Sequence, residues 1–179
     1  MKTFEFAIIA SGLDPNADDF ESIFYNNGCD DALVAFQKGH TIIDFARQAD
    51  SIDEAIASAI ENVCATGATI ERVEPDPLVN LSDIASRTGL TRAAVSNYAK
   101  GLRSKNFPAP VVRVTSDSPL WDWTEVSHWM FKNKSIGRDE AVIASVVKEA
   151  NVAIEAGDKN IRNRLKQRAD LEEATLEAA

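Results

Sequence analysis

The 179-residue sequence predicts an α+β fold, because three stretches of the chain differ in their patterning. In residues 1–77, short strand-like runs alternate with amphipathic helical segments. Residues 78–134 combine two short helical segments around a glycine with a tryptophan-rich stretch, and residues 135–179 show only helical patterns. We therefore expect an N-terminal domain, a central domain and a helical C-terminal extension with these boundaries.

The N-terminal domain opens with the pattern of a strand, a turn and a helix. Residues 3–9 predict a strand, because apolar side chains alternate along it. After a turn at 13–16, the aromatic residues take up helical spacing at Phe20 and keep it until Gly28. Glycine tolerates the left-handed conformation that closes many helices, so we expect the helix to end there.

A hairpin, a second helix and a last strand follow. Residues 32–36 and 41–46 are apolar runs on either side of a Lys-Gly turn. The second helix is expected to open with a capping box at Ser51 and to end at Gly67. Its apolar stripe consists of Ile52, Ala55, Ile56, Ala59, Ile60 and Val63. With a strand over 68–73, the order becomes β-α-β-β-α-β, the ferredoxin-like arrangement, which does not define a function by itself.

Charge is distributed unevenly along the chain. Residues 1–77 hold four basic and fifteen acidic side chains, a net charge of −11. Residues 78–134 hold eight basic and four acidic side chains, a net charge of +4, within a chain whose total is −9. Attraction to phosphate decays over about 10 Å in physiological salt, so the local charge decides whether DNA can dock. The acidic N-terminal domain disfavours RNA binding and leaves a small-molecule sensor or a dimerisation or structural module.

Several other classes of protein are disfavoured by the sequence. Cys29 and Cys64 lack metal-ligand spacing, and we expect both to be buried small residues in a reducing cytoplasm. His40 and His128 have no acidic or cysteine partner nearby in sequence, so structural or exposed roles are expected. Neither a secretory signal nor an apolar run of membrane-spanning length is evident. Without a nucleophile motif, phosphate loop or metal spacing, we expect no enzyme, no cofactor and no metal.

The central domain begins with the pattern of two short helices joined by a tight turn. Asn80 is expected to cap the first helix, with Asp83 as the second half of a capping box. Ala85 is small enough to lie where two helices cross, Gly89 supplies a positive φ for the turn, and Thr91 caps the second helix. The apolar residues that would lock the second helix are Leu90, Val95 and Tyr98.

These residues resemble the helix-turn-helix signature, and the stretch after them resembles the winged-helix excisionase and AlpA-type regulators, which are related to the MerR DNA-binding head. Members of that group continue with a Phe-Pro-x-Pro turn, a two-stranded wing and a tryptophan-rich closing helix. Here the turn is 107–110, the wing would start at 111–114, and three tryptophans follow. The resemblance covers residues 80–130 and implies a winged helix-turn-helix that binds DNA.

On an ideal helix, the face opposite Val95 is free to enter a major groove. Arg92 is expected to read guanine and Asn97 adenine, while the basic residues after the helix hold phosphates, which position without specifying. The expected DNA-binding residues are Thr91, Arg92, Ala93, Ser96, Asn97, Lys100, Arg103, Lys105 and Arg113. Two alternatives remain open: Arg92 and Lys100 as ordinary solvated residues, and Trp121, Trp123 and Trp129 as base-stacking platforms instead of core.

The C-terminal extension has two helical segments. The first runs from Gly137 to about Gly157 and has one apolar face, whereas the segment 159–179 resembles a solvated helix or a frayed tail. Together these patterns predict a cytoplasmic, nucleoid-associated regulator of transcription that binds double-stranded DNA as a homodimer, without membrane contact. Its N-terminal domain would receive a small-molecule effector or a protein partner. The alternatives are an excisionase-like protein that bends DNA, and an antitoxin or adaptor whose acidic N-terminal domain binds another protein.

Overall fold

The computed structural model describes all 179 residues as an α+β protein with seven α-helices, a four-stranded antiparallel sheet and a two-stranded sheet. The chain divides into two compact units. The first unit comprises Met1–Pro75 and Val146–Ala174, and the second comprises Asp76–Ser145 and Thr175–Ala179. None of the helices combines the length and hydrophobicity that crossing a membrane requires.

The first unit contains the strand and helix order expected from the sequence. Its N-terminal elements are β1 (Lys2–Ser11), α1 (Phe20–Asn26), β2 (Ala32–Gln37), β3 (His40–Ala49), α2 (Ile52–Ala65) and β4 (Thr69–Glu74). The strand order across the sheet is β2-β3-β1-β4, and all neighbours are antiparallel. The turn between β2 and β3 has positive φ at both central residues, Lys38 (51°) and Gly39 (82°), as two-residue hairpins of the primed type require.

The core of the first unit lies on one face of the sheet. Phe6 and Ile8 of β1 stand opposite Phe45 and Ile43 of β3, and all four side chains are buried. The rings of Phe6 and Phe45 stack with their centroids 5.3 Å apart. All six residues of the apolar stripe predicted for α2 are buried as well. The alternation in the strands and the helical period in α2 therefore predicted the buried face correctly.

Arg47 of β3 is a buried arginine with only 7% of its surface exposed. Its guanidinium forms two bonds of 2.9 Å to the carboxylate of Asp31. It also donates to Ser58 Oγ at 3.0 Å, to Asn62 Oδ1 at 2.8 Å and to the carbonyl of Gly28 at 2.6 Å. All five N–H donors thus have partners, and the network ties β3 to α2 and to the segment that precedes β2.

Two sequence-based expectations for the first unit were wrong. Ser51 is the N-cap residue of α2, but its side chain makes no capping hydrogen bond, so the expected capping box is not formed there. Cys29 is buried as expected, whereas Cys64 is exposed because it lies on the outer side of α2, away from the apolar stripe. Burial, opposed by the charge of Arg47, raises the pKa of the Cys29 thiol to about 11, so this thiol is protonated at neutral pH.

The second unit begins at β5 and is mainly helical. Its elements are β5 (Leu78–Val79), α3 (Leu81–Thr88), α4 (Arg92–Ala99), β6 (Trp121–Asp122) and α5 (Trp123–Lys132). β5 and β6 form the two-stranded antiparallel sheet. Two further helices, α6 (Arg138–Glu155) and α7 (Ile161–Glu177), contribute residues to both units.

The last helix differs from the expectation of a solvated or frayed segment. α7 is regular over 17 residues and buries Leu165, Ala169 and Leu176. These residues are spaced at four and seven positions, so they lie along one side of the helix. The stripe is too narrow, and the intervening residues too charged, to give a strong apolar pattern in the sequence.

Candidate nucleic-acid interface

Local hydrogen bonds fix the ends of α3 and α4. The Asn80 side chain accepts from the backbone N–H of Asp83 at 2.8 Å, and the Asp83 carboxylate accepts from the N–H of Asn80 at 2.9 Å. α3 ends at Gly89, whose φ of 68° is left-handed. Thr91 Oγ1 then accepts from the N–H of Ala94 at 3.1 Å and caps α4. The predicted capping box, turn glycine and second cap are all confirmed.

α3 and α4 share one apolar core. Ile84 and Ala85 of α3 and Val95 of α4 are buried in the same cluster, and Leu90 and Tyr98 pack against it half-buried. Ala85 is the small residue that was expected between the helices. Because the apolar side of α4 faces this cluster, its opposite side is left for solvent or a ligand.

The three tryptophans belong to this core. Trp121, Trp123 and Trp129 are all buried in the cluster. The ring of Trp129 meets those of Tyr98 and Phe107 edge to face, each with centroids 5.0 Å apart. Rings enclosed in this way are not available to stack on bases, so a core role is confirmed for the tryptophans and the base-stacking alternative is wrong.

The indole N–H groups attach the loop after α4 to the core. Trp121 Nε1 donates to the carbonyl of Pro108 at 2.9 Å, and Trp129 Nε1 donates to the carbonyl of Lys105 at 3.2 Å. The backbone of Lys105 is therefore held while its side chain stays exposed. The bond to Pro108 and the packing of the Phe107 ring on Trp129 hold the Phe-Pro-Ala-Pro turn against the core.

The outer side of α4 presents the residues expected to contact DNA, but to different degrees. Thr91, Arg92, Ala93 and Lys100 are exposed, whereas Ser96 and Asn97 are half-buried. Arg92 Nε donates to Ser82 Oγ of α3 at 3.1 Å. Ser82 was not singled out in the sequence, because its role depends on a residue ten positions later. This bond orients the arginine and leaves its terminal Nη groups for a ligand.

Two backbone hydrogen bonds at the C-terminal end of α4 fix the start of the basic loop that follows. Gly101 has a φ of 71°, its N–H donates to the carbonyl of Tyr98, and the N–H of Leu102 donates to the carbonyl of Asn97. This pair of bonds is the Schellman arrangement that ends many helices. Lys100, Arg103 and Lys105 are exposed around it.

The expected two-stranded wing is reduced to one bridge. Val112 pairs with Leu120, and no strand extends over 111–114. Arg113 has a φ of 55° and leaves the extended conformation, and its carbonyl accepts from both the N–H and the hydroxyl of Ser116. Serine side chains compete with ladder bonds in this way, and Pro119 cannot donate one. Arg113 is exposed but lies in this irregular turn and not on a strand.

Two of the four acidic residues in 78–134 are engaged in helix capping. Asp83 completes the box at α3, and Asp122 accepts from the N–H groups of Thr124 and Glu125 at the start of α5. Their charges are thereby directed toward backbone donors at helix N-termini, which favour them. The net positive charge of this part of the chain is consequently presented by exposed arginine and lysine side chains.

Comparison of the chain with protein-family models, with curated proteins and with solved structures finds no match. No group of three or more His, Cys, Asp or Glu side chains is arranged to hold a metal ion. The arrangement consists of a capped, exposed helix N-terminus with an oriented arginine and a basic loop, which together suit a polyanion.

Proposed function

We propose that this chain is a sequence-specific DNA-binding regulator of transcription in which α4 enters the major groove. The observation that carries the proposal is the capped α3–Gly89–α4 pair, which buries Val95 in the core and leaves Arg92 exposed at the N-terminal end of α4. Helix pairs of this kind place the second helix against base edges. The net charge of +4 over residues 78–134 supplies the attraction to phosphate.

Within this proposal the residues have separate roles. Arg92, held through Nε by Ser82, reads guanine O6 and N7 with its terminal nitrogens. Asn97 reads adenine, and its half-buried position limits it to a base that approaches closely. Lys100 and Lys105 contact phosphates and fix the register of the protein on the duplex.

The rest of the chain supports a more detailed proposal. The Val112–Leu120 bridge, the 107–110 turn and the tryptophan core support a winged helix-turn-helix similar to that of excisionase, AlpA-type and MerR-like proteins. The strand order β2-β3-β1-β4 supports a ferredoxin-like domain in the first unit. We assign to that domain the pairing of two copies, because two linked half-sites raise the effective concentration of the second contact.

The test of the proposed readout is a binding series with a DNA site recovered from a random pool. Arg92→Ala should weaken binding by about 5- to 150-fold, as expected for loss of a bidentate base contact. Ser82→Ala should weaken it less, because the arginine remains but is no longer oriented. Lys105→Ala should weaken binding to every sequence alike and lower the salt dependence by about one phosphate contact.

The control for charge is Lys166→Ala, which removes one exposed positive charge from α7. The affinity of this variant for the selected DNA site should stay close to that of the wild-type chain. Equal effects of Lys166→Ala and Arg92→Ala would mean that only overall charge matters, and the assignment of α4 as the reading helix would be wrong.

An excisionase-like role that bends DNA is the second candidate, and one observation favours it. Leu102 and Val114 are exposed apolar side chains that stand next in sequence to Arg103 and Arg113. Apolar side chains between basic residues can wedge between base steps and kink a duplex. A measured bend of the bound site that disappears in Leu102→Ala would favour this role over simple operator binding.

A further inference from the structure

The two edge strands of the four-stranded sheet, β4 and β2, differ in their protection against pairing with another strand. At β4, the side-chain amide of Asn151 donates to the carbonyl of Val73 at 2.9 Å and accepts from its N–H at 2.7 Å. The asparagine therefore occupies the place of a neighbouring strand. β4 also carries three charged residues and a shift of register opposite Ile9 and Ala10. These are common devices against edge-to-edge pairing.

The β2 edge has none of these devices. The strand Ala32–Gln37 contains no charged residue and no proline. Leu33 is 79% exposed and Phe36 is 47% exposed. An uncharged edge strand with exposed large apolar side chains is a template for pairing with another strand.

The backbone of β2 also has N–H and carbonyl groups on its outer side that another strand could bind. Hydrogen-bonded residues alternate along an antiparallel strand, and the carbonyl of Asp31 accepts from the N–H of Ala46 at 3.0 Å. The odd-numbered residues of β2 therefore bond to β3. The N–H and carbonyl groups of Val34 and Phe36 point away from β3 toward the open edge.

A concavity of about 570 Å³ lies beside this edge, on the side of the helices. Tyr25 of α1 lines it together with Ala32 and Val34 of β2, and the Tyr25 side chain is 65% exposed. An incoming strand that paired with β2 would place a side chain next to this concavity. Tyr25, Ala32 and Val34 form the apolar side of this concavity, which a large apolar side chain would contact, whereas Asp18, Glu21 and Ser22 form its polar side.

We propose that β2 pairs antiparallel with β2 of a second copy of this chain, with Val34 opposite Val34 of the partner subunit. This register joins outward N–H and carbonyl groups on both strands. Phe36 then lies opposite the partner's Ala32, on the helix side of the sheet, where it enters the concavity beside Tyr25. The two sheets become one continuous eight-stranded sheet without a free β2 edge.

Charge selects this register over its neighbours. With Val34 at the twofold axis, Asp30, in the turn before β2, comes to the same end of the pairing as the partner's Lys38, in the turn after β2, and symmetry repeats this proximity at the other end. A shift by one pairing step places Asp30 opposite the partner's Phe36 or Lys38 opposite the partner's Ala32. Opposite charges that come close at the two ends of the pairing stabilise it, whereas the shifted registers move Asp30 and the partner's Lys38 apart. The inference specifies the dimer invoked by the proposed function, and it does not depend on DNA.

The first test measures molar mass by light scattering at tens of micromolar protein. The wild-type chain should have twice its monomer mass of 19.5 kDa. Val34→Pro should be monomeric with an unchanged circular dichroism spectrum, because β3 does not use the N–H that proline removes. A monomeric wild-type chain would overturn the inference. A monomer whose β2 edge binds an extended basic peptide would overturn it as well.

The second test measures register by disulfide formation in a Cys64→Ser background, which removes the exposed native thiol. Cα atoms in a hydrogen-bonded antiparallel pair lie about 5.5 Å apart, within reach of a disulfide, so Val34→Cys should cross-link. Gln37→Cys is the matched control, since the proposed register places the two Gln37 positions about 20 Å apart. Equal cross-linking at both positions would contradict the register.

A charge exchange gives an independent check. Asp30→Lys should weaken the dimer by about 10-fold through two like-charge pairs, and Asp30→Lys combined with Lys38→Asp should restore it. Lys38 has a positive φ, which aspartate tolerates better than most residues. If the double variant stays as weak as the single one, Asp30 and Lys38 do not meet in the dimer. None of these measurements contains DNA, so their failure would leave the DNA-binding proposal standing.

Discussion

Arg47 shows how much of the first unit depends on one side chain. Its carboxylate partner is Asp31, and its remaining donors hold a serine, an asparagine and a backbone carbonyl. Removal of a buried charge that forms such bonds leaves several acceptors unsatisfied at once. The arginine is buried and its acceptors are half-buried, so the loss is larger than for a surface ion pair.

We expect Arg47→Ala to lower the free energy of unfolding by about 3 kcal/mol. Asp31 is partly exposed and can regain water. The expected loss in the free energy of unfolding is therefore at the lower end of the range for broken buried ion pairs. Urea unfolding followed by circular dichroism would measure it. Arg72→Ala is the control, because its ion pair with Glu74 is half exposed and should be worth less than about 1 kcal/mol. Equal losses in both variants would show that the Arg47 network contributes no more than a surface pair.

Residues with local partners could be predicted from the sequence, and residues with distant partners could not. Asn80, Gly89 and Thr91 were predicted because a cap or a turn needs only neighbours within about three positions. Arg47 was missed because its partners lie between 11 and 19 positions away. His40 is exposed, in agreement with the expected structural or exposed role, but its hydrogen bond of 2.8 Å to Glu71, 31 positions away, could not be seen in the sequence.

At the scale of elements, the two predicted capping boxes provide a comparison within one chain. The box at α3 forms both of its hydrogen bonds, whereas the serine before α2 forms none with its side chain. Both sequences fit the same pattern. The pattern states which bonds are available, and the packing of the helix decides whether the bonds form.

We expect Asn80→Ala to cost about 1 kcal/mol of stability, as for loss of a formed N-cap. Ser51→Ala should cost a few tenths of a kcal/mol at most, because there is no side-chain bond to lose. Urea unfolding of the two variants measures both values. A larger loss from Ser51→Ala than from Asn80→Ala would contradict the capping geometry described for these helices.

The wing is the element that the sequence predicted least well. The resemblance to winged-helix regulators implied a two-stranded wing that starts at 111–114, where three of the four residues are valines, which favour strands. The Ser-Asp-Ser-Pro segment after them forms its own local hydrogen bonds, and only the Val112–Leu120 bridge remains. The local hydrogen bonds of the turn therefore outweighed the strand propensity of residues 111–114.

At the scale of the whole chain, the distribution of charge explains how an acidic protein can be proposed to bind DNA. The total of −9 includes −11 in residues 1–77 and +4 in residues 78–134. With few basic residues at the interface, nonspecific attraction is modest. Specific binding by the chain should therefore depend on base contacts and on the pairing of two copies.

The order of elements in the first 75 residues was predicted from periodicity alone, since each element buries a face whose spacing is visible in the sequence. The placement of the C-terminal helices was not predictable in the same way. α6 has apolar residues along most of its length, and it contributes residues to both units. A helical pattern shows which side is buried but not which neighbour covers it.

Selection of bound duplexes from a random DNA pool by the full-length chain tests whether α4 recognises DNA. We expect enrichment of a consensus with two inverted half-sites, each read by one α4 helix, and loss of that enrichment in Arg92→Ala. Absence of any enriched sequence at about 50 mM salt, where contacts with phosphate are strongest, would contradict the proposal that this chain recognises DNA.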